Sequence, residues 1–491
     1  MSDDVPPAAR LRRCFTFLFT CKGKTDIVFL AVLFSAPWLL RGTRISEVPD
    51  IEDPVDAAAV LQIELPRDQN AYVDYRRAAK LHVAHVGTWP NGEWLPNWHH
   101  GWQQNKTTDA HRQWLAANRE ALRVWRNGTR KDDAQRITRS DLGRDPPRWE
   151  LRPRPSLVTL PYLALLHAAE LQEQGEHAQA WDWLRAALRC SRHAGRNDRI
   201  DRRITGCALH EKAVGAMIAW SHHSDVTAEQ LRAALRDVRE DYALTQPTSR
   251  NVEIEYVWWS SFVERHDVKA LWLDIQLQPR CCGNRVHPNV RPVFNAVVYT
   301  MGEPDRGLRL IKQAFANWLT QIDRPMHQRR YVPDPGRSFE RHLFESTTPE
   351  SPQAGRIEAR ELLEMLRSSP VYGWFRPPVP EFDSCVQHER SRQAALEIAL
   401  AAQWFFRDHK RFPESLTELS SSYLEAVPRD PWSRTGDRMH YRRTPTGAVV
   451  WSVGYDGRNN DGRLKYGAAG MDTGYEIRIP GTPPPKSDTP R

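Results

Sequence analysis

The sequence predicts a mainly α protein: an N-terminal membrane helix, a body of helical hairpins, and a small C-terminal α+β domain made of one long helix and a short antiparallel sheet. Three observations carry that expectation. An uncharged run of 14 residues, Ile27–Leu40, stands near the start behind a group of basic residues. Apolar residues then recur at helical spacing through the middle of the chain, punctuated by Gly175 and Gly195. From about Asp383 the pattern changes to one long helix followed by two short alternating stretches.

The N-terminal expectation rests on charge as much as on apolarity. Arg10, Arg12, Arg13, Lys22 and Lys24 precede the run and only Arg41 and Arg44 follow it closely, which favours a cytoplasmic N-terminus and a body outside. A full helical span needs about 20 apolar residues, so the run is short. Pro37 within it is tolerable in a membrane helix. A cleaved signal peptide has an apolar core of this length, but no small-x-small site follows Leu40. A buried helix of a cytoplasmic domain is the third reading. The signal anchor is preferred, giving a cytoplasmic basic segment at 1–26, an anchor at 27–41 and an acidic, irregular stalk at 42–68.

The body, 69–375, reads as helices separated by polar and proline-rich loops. Helices are expected at Ala71–Ala84 and Trp114–Arg126, with a charged, proline-rich loop over 129–156. The clearest block is 160–242. Leu160–Gln174 and Ala178–Ala194 are of similar length and each ends at a glycine, which is the pattern of an antiparallel hairpin. Arg203–Trp220 follows, and Thr227-Ala-Glu-Gln230 is a capping-box signature ahead of Leu231–Tyr242. Helical spacing continues at Val252–Arg265, Arg306–Asp323 and Ala354–Arg367, without a fixed repeat.

Composition narrows the function classes. A mean hydropathy of -0.64 describes a soluble body, not a polytopic membrane protein. The net charge of +8 is spread among acids with no block of one sign, so a solvated mixed surface is expected and no nucleic acid partner. Seven cysteines, with no Cys-x-x-Cys pair, argue against a zinc site and a disulfide framework. Cys14 and Cys21 precede the anchor, Cys281-Cys282 sits in a turn, and Cys190 and Cys207 form either one disulfide or two buried thiols.

Within the C-terminal domain, expected over 383–480 with a disordered tail at 481–491, Gln387–His409 is amphipathic. It is followed by Phe412-Pro413…Leu416, by Pro428-Arg429-Asp430-Pro431-Trp432, by Tyr441-Arg442, and by Ser452-Val453-Gly454-Tyr455-Asp456-Gly457. This order resembles the globular head of the type II secretion major pseudopilins (general secretion pathway protein G-like), most specifically at the Asp-Pro-Trp and Ser-Val-Gly-Tyr-Asp-Gly stretches. The whole arrangement, with Asn70-Ala71-Tyr72…Tyr75-Arg76-Arg77-Ala78-Ala79, is also similar to an uncharacterised family of bacterial membrane-anchored proteins. It departs from true pseudopilins at Cys14-Phe15-Thr16, where they carry Gly-Phe-Thr and a nearby glutamate, so the resemblance does not imply filament assembly. It does imply calcium in the loop after the last strand. Asp456 and Asp461 are the candidate ligands, since hard oxygen donors suit calcium; Asx-Gly clusters equally form turns without metal.

Catalytic patterns are sparse. His99-His100 and His222-His223 are adjacent pairs that point apart on a helix; His82 and His85 share a face but lack a further ligand. Glu253 and Glu255, beside Trp258 and Trp259, have the residue types of a glycosidase pair but sit two apart, where helical side chains do not face each other. There is no Gly-x-Ser-x-Gly, no Walker A and no dinucleotide fingerprint. The expectation is a non-enzymatic, single-pass cell-membrane protein, a helical scaffold presenting a head for contacts with envelope proteins. The alternative is an exported glycan-binding protein or glycan-active hydrolase using the tryptophan-rich segments 89–102, with Trp94, Trp98 and Trp102, and 256–273.

Overall fold

The computed structural model describes residues 35–36, 38–61, 64–84, 108–136, 157–265, 300, 302–303, 305–331, 343–344, 356–368, 379–420, 422–464 and 472–482. Most of the apolar run at 27–40 lies outside the described residues, as do Trp94, Trp98 and Trp102. Among the described residues no helix is long and apolar enough to cross a membrane. The chain divides into two compact units, one of Met1–Pro54, His266–Ala314 and Ser346–Arg376, the other of Val55–Arg265, Phe315–Glu345 and Pro377–Arg491.

In the first unit, residues 38–46 are helical and lead into a chain segment stitched down by side chains reaching its backbone. Arg41 donates to the Glu303 carbonyl at 2.7 Å and pairs with Asp305. Arg309 donates to the Val48 carbonyl at 3.0 Å, Lys312 to that of Ile51 at 2.8 Å and Gln313 to that of Pro49 at 3.2 Å. An irregular segment makes no ladder of its own, so these long polar side chains satisfy its carbonyls.

The second unit begins with α1 (Ala57–Leu61) and α2 (Ala71–Leu81). Asn70 caps α2 by accepting from Tyr72 N, and it donates to the Gln135 carbonyl at 2.8 Å. The expected helix at 114–126 is two, α3 (Asp109–Ala117) and α4 (Arg119–Thr129). The break falls at Asn118, whose side chain accepts from Val83 N at 2.9 Å and donates to Val83 O at 3.0 Å. A short polar side chain that finds a distant backbone in this way favours a helix boundary over a helix interior.

The expected hairpin is present as α5 (Thr159–Glu173) and α6 (His177–His193), followed by α7 (Ile200–Ser221), α8 (Ala228–Ala243) and α9 (Thr248–Arg265). Gly195, at φ +84°, lets the α6–α7 connection lie on α7: a Cβ there would sit 2.3 Å from Arg203 Cα. The capping box of α8 makes both bonds, Gln230 N to Thr227 Oγ1 at 3.2 Å and Thr227 N to Gln230 Oε1 at 2.9 Å. Beyond lie α10 (Asp305–Leu319), α11 (Ala359–Ser368) and α12 (Val379–His409).

The helix α12 starts at Val379, not at Gln387, and its middle is not amphipathic in use. Ala394–Leu396 and Ile398–Ala402 are all buried. Small alanines let neighbours close in from several sides, so one core holds Leu184, Leu188, Val214, Met217, Leu231 and Val238 with Leu396, Leu400 and Phe405, and also Val450 and Ile477 of the sheet. The buried leucines of that core contribute about 1.5–3 kcal/mol each.

The sheet has order β1-β2-β3, with β1 (His440–Thr444), β2 (Gly447–Ser452) and β3 (Thr473–Arg478) antiparallel. Tyr441, Val450 and Tyr475 are in register across it, and β2, its central strand, is buried throughout. The Asp-Pro-Trp and Ser-Val-Gly stretches meet at one corner of this sheet. Buried Asp430 accepts from Ser452 Oγ at 2.5 Å, Val453 N at 2.8 Å and Trp432 N at 2.9 Å.

Candidate functional site

The densest group of buried ionisable side chains lies where α6, α7 and α12 meet. Arg192 near the end of α6 and Arg203 near the start of α7 both reach Glu389 on α12. Arg192 pairs with Glu389 Oε1, and Arg203 Nη2 lies 2.6 Å from the same oxygen. The three side chains are only 1, 5 and 2% exposed, so solvent does not screen the contact. Arg192 Nη2 also donates to Gln393 Oε1 at 2.9 Å, and His210 Nε2 lies 3.3 Å from that oxygen. Because an amide oxygen only accepts, His210 is assigned the tautomer with its proton on Nε2.

These contacts advance together along both helices: Arg203 to Glu389, His210 to Gln393, and Arg407 Nη2 to the Ser221 carbonyl at 3.3 Å. The helices α7 and α12 therefore run parallel, and the ion pairs fix one register between them. Burial, with help from Arg203, pulls Arg192 down to about 10, which leaves it charged at neutral pH. Burial and then Arg192 hold His210 well below the ordinary imidazole range, so it is neutral.

A cavity of about 10 Å³ lies beside this lock, lined among others by Arg203, Thr245, Gln246, Phe382, Val386 and Glu389. That volume holds roughly one water and no organic substrate. Two guanidinium groups cannot exchange protons near neutral pH, and the one imidazole is shut away from solvent. What this arrangement does chemically is hold three helices in place.

A second polar group surrounds the α6–α7 connection. Arg196 lies 2.6 Å from Asp133, Asp198 takes two bonds from Arg136 at 2.6 and 2.9 Å, and Asn251 donates to the Gly195 and Asp198 carbonyls at 2.6 and 2.8 Å. Arg199 pairs with Glu255 at 2.9 Å and stacks over Trp258 at 3.7 Å. Glu255 also accepts from Trp259 Nε1 at 3.1 Å, whereas Glu253 pairs with Arg250 at 3.2 Å. The two carboxylates considered for glycoside chemistry thus serve different arginines, on a helix that holds them two residues apart.

The other sequence candidates are placed as follows. The Asp456 carboxylate accepts from Arg458 N at 3.0 Å. Asp461, at φ +57°, is held through its own N–H to Asn459 Oδ1 at 3.0 Å. The carboxylate most engaged in this loop is Asp472, which accepts from Asn460 N at 3.1 Å and Gly462 N at 2.8 Å. Among the described residues no group of three or more His, Cys, Asp or Glu side chains is arranged to hold a metal ion.

His222 Nε2 accepts from Arg478 N at 3.3 Å at the edge of β3, while the His223 ring lies 4.9 Å from that of His177. The adjacent pair therefore serves two separate places. His82 packs edge-on to Trp114 with ring centroids 6.4 Å apart; His85, His99 and His100 lie outside the described residues. Cys190 and Cys207 are both buried free thiols, and burial pushes Cys190 up to about 12, an inert thiol. Cys14, Cys21, Cys281 and Cys282 lie outside the described residues.

Sequence reasoning did not single out Arg192, Arg203 or Glu389, and it named Asp472 only as a further acid beyond the Asp456–Asp461 loop. Glu389 carries no such signal, because its neighbours Gln387, His388, Arg390, Ser391, Arg392 and Gln393 read as a solvated stretch of helix. No family model, no curated protein and no solved structure matches this chain.

Proposed function

We propose that this chain is a non-enzymatic protein of the bacterial cell envelope, held by a single-pass anchor at 27–41 with its N-terminus in the cytoplasm. Its helical body is a scaffold that fixes α12 and the three-stranded sheet, a head resembling that of the major pseudopilins, for contacts with other envelope proteins. The observation that carries the anchor is at the end of the apolar run. Trp38, Leu39 and Leu40 are 66, 68 and 51% exposed on a helical segment, directly before Arg41, which is folded inward. Three consecutive large apolar side chains facing outward are costly in water and suit the boundary of a bilayer, where tryptophan is favoured. The basic residues ahead of the run support the orientation.

The scaffold part rests on the junction of α6, α7 and α12, whose charged groups are spent on one another and on helix register. Fractionation of cells producing the untagged full chain tests the proposal. The chain is expected in the membrane fraction after a carbonate wash, with its body cleaved by protease added from the outer side. Intact chain in the soluble cytosolic fraction overturns it.

A further inference from the structure

Three polar atoms without a hydrogen-bond partner belong to residues that line one small space in the second unit. Arg203 Nη1, Glu389 Oε2 and the Thr245 hydroxyl are each shut off from solvent and unpaired, and all three residues line the cavity of about 10 Å³ beside the ionic lock. The Arg203 and Glu389 side chains are themselves only 5 and 2% exposed. Buried polar groups are nearly always paired with protein or with ordered water, so three such atoms on residues that line one cavity call for a ligand. A space of this size holds about one water, which needs two to four polar partners.

We propose that this cavity is a binding site for a single internal water that accepts from Arg203 Nη1, donates to Glu389 Oε2 and exchanges a hydrogen bond with the Thr245 hydroxyl. The mixture of donor and acceptor decides the ligand. Two arginines over one carboxylate leave excess positive charge, and Arg390, which donates to Thr248 Oγ1 at 3.1 Å on the same cavity wall, adds to it. That excess makes a halide the natural competitor. A halide accepts but cannot donate, so it would leave Glu389 Oε2 unpaired and set a second negative charge beside it. A cation would face the guanidinium groups. Water alone serves all three atoms. The proposal is independent of the envelope reading.

Crystals of the full chain grown with bromide as the only halide test it. The expected map has one peak of water height in the cavity, within hydrogen-bond distance of Arg203 and Glu389, with no anomalous signal at the bromine edge. An anomalous peak there overturns the proposal in favour of a halide, and an empty cavity overturns it outright. In solution, Val386→Ile places a further carbon in the same space. Oxygen-17 relaxation dispersion is then expected to count one fewer long-lived water than in the parent, and an unchanged count overturns the proposal.

Discussion

Two buried carboxylates hold α12 and the sheet, and they are held by opposite means. Glu389 is met by two guanidinium groups that share one of its oxygens. Asp430 is met by neutral donors only, a hydroxyl and two backbone N–H groups. Burial raises the Asp430 pKa and its three hydrogen bonds work against that rise. The difference concerns what remains when the acid is lost. Around Asp430 the orphaned groups are uncharged, whereas around Glu389 two buried cations lose the carboxylate that both pair with. A charged lock is therefore more damaging to break than a neutral one, although it need not stabilise more than an apolar replacement would.

The largest expected effect follows directly. Glu389→Gln keeps the shape and removes the charge, and should cost about 3–5 kcal/mol, the loss typical of breaking a buried pair on one side. Urea unfolding of the full chain measures it. Replacing Arg192, Arg203 and Glu389 together with Met should recover most of that loss, because no buried charge is left unpaired. A triple variant as unstable as Glu389→Gln would show that the damage comes from packing, and the contrast between the two carboxylates would fail.

Asp430→Asn ranks next. It retains one acceptor oxygen for the Ser452 hydroxyl or the backbone N–H groups, and should cost about 1–3 kcal/mol, the penalty for an imperfectly satisfied buried donor. Trp432 sits over this corner with its ring 4.9 Å from that of His388 on α12, so the change should register in the chemical shifts of both rings while α7 stays unperturbed. A loss equal to that of Glu389→Gln would erase the distinction between charged and neutral cradles.

Acid sharpens the comparison, since each site has a histidine, half-buried His388 at the sheet corner and buried His210 at the lock. His388 at the sheet corner is pulled down to about 4 by burial and then Arg392, and His210 at the lock is held well below the ordinary range by burial and then Arg192. Both bind fewer protons folded than unfolded, where imidazole titrates near 6.5. Their contribution to stability is thus complete above about pH 6.5 and is lost progressively as pH falls from there toward 4. His193, pulled to about 3 by burial, adds to the same slope. Unfolding midpoints should fall with pH over this window, and His388→Leu should flatten part of the fall. In NMR titrations the His388 ring should change charge near pH 4 and the His210 ring well below the ordinary imidazole range. A His210 that titrates near 6.5 would mean that the lock admits solvent.

What the sequence made legible was local. Gly175 and Gly195 announce helix ends because a positive φ is open to glycine at little cost, and Thr227 with Gln230 announces a helix start because both partners of the cap lie within four residues. The helices α5 to α8 were readable for that reason. The lock was not, because Arg192 and Arg203 stand far along the chain from Glu389, and a charged side chain on a helix reads as solvated until the fold buries it. Asn118 concealed the α3–α4 break, since its partner Val83 lies on another segment. The strand β3 was missed because Thr473–Arg478 sets only Tyr475 and Ile477 against a glycine, two charges and a threonine, a weak alternation that pairing with central β2 completes. Asp430 and Ser452 were both singled out in the sequence, but that they bond to each other is tertiary information.

The smallest effect is expected at the loop of Asp456 and Asp461, and it extends the comparison to a third acid. Asp472 is cradled by backbone N–H groups much as Asp430 is, with Asn460 and Gly462 donating to it. N–H groups pointed at a carboxylate compete with a cation for the same oxygens. Asp456 accepts from Arg458 N, while Asp461 is oriented by Asn459, and among the described residues no three such side chains are arranged to hold a metal ion. A ligand that binds only the folded chain raises stability by RT ln(1 + [L]/Kd), about 1.4 kcal/mol at ten times Kd. Addition of 1 to 10 mM calcium (order-of-magnitude concentrations bracketing weak extracellular sites) should leave the unfolding midpoint of the full chain unchanged within error. A rise that grows with calcium and disappears in Asp456→Asn would show that the loop rearranges to bind the ion. It would also place Asp472 with Glu389, among carboxylates whose partner is a charge, and not with Asp430.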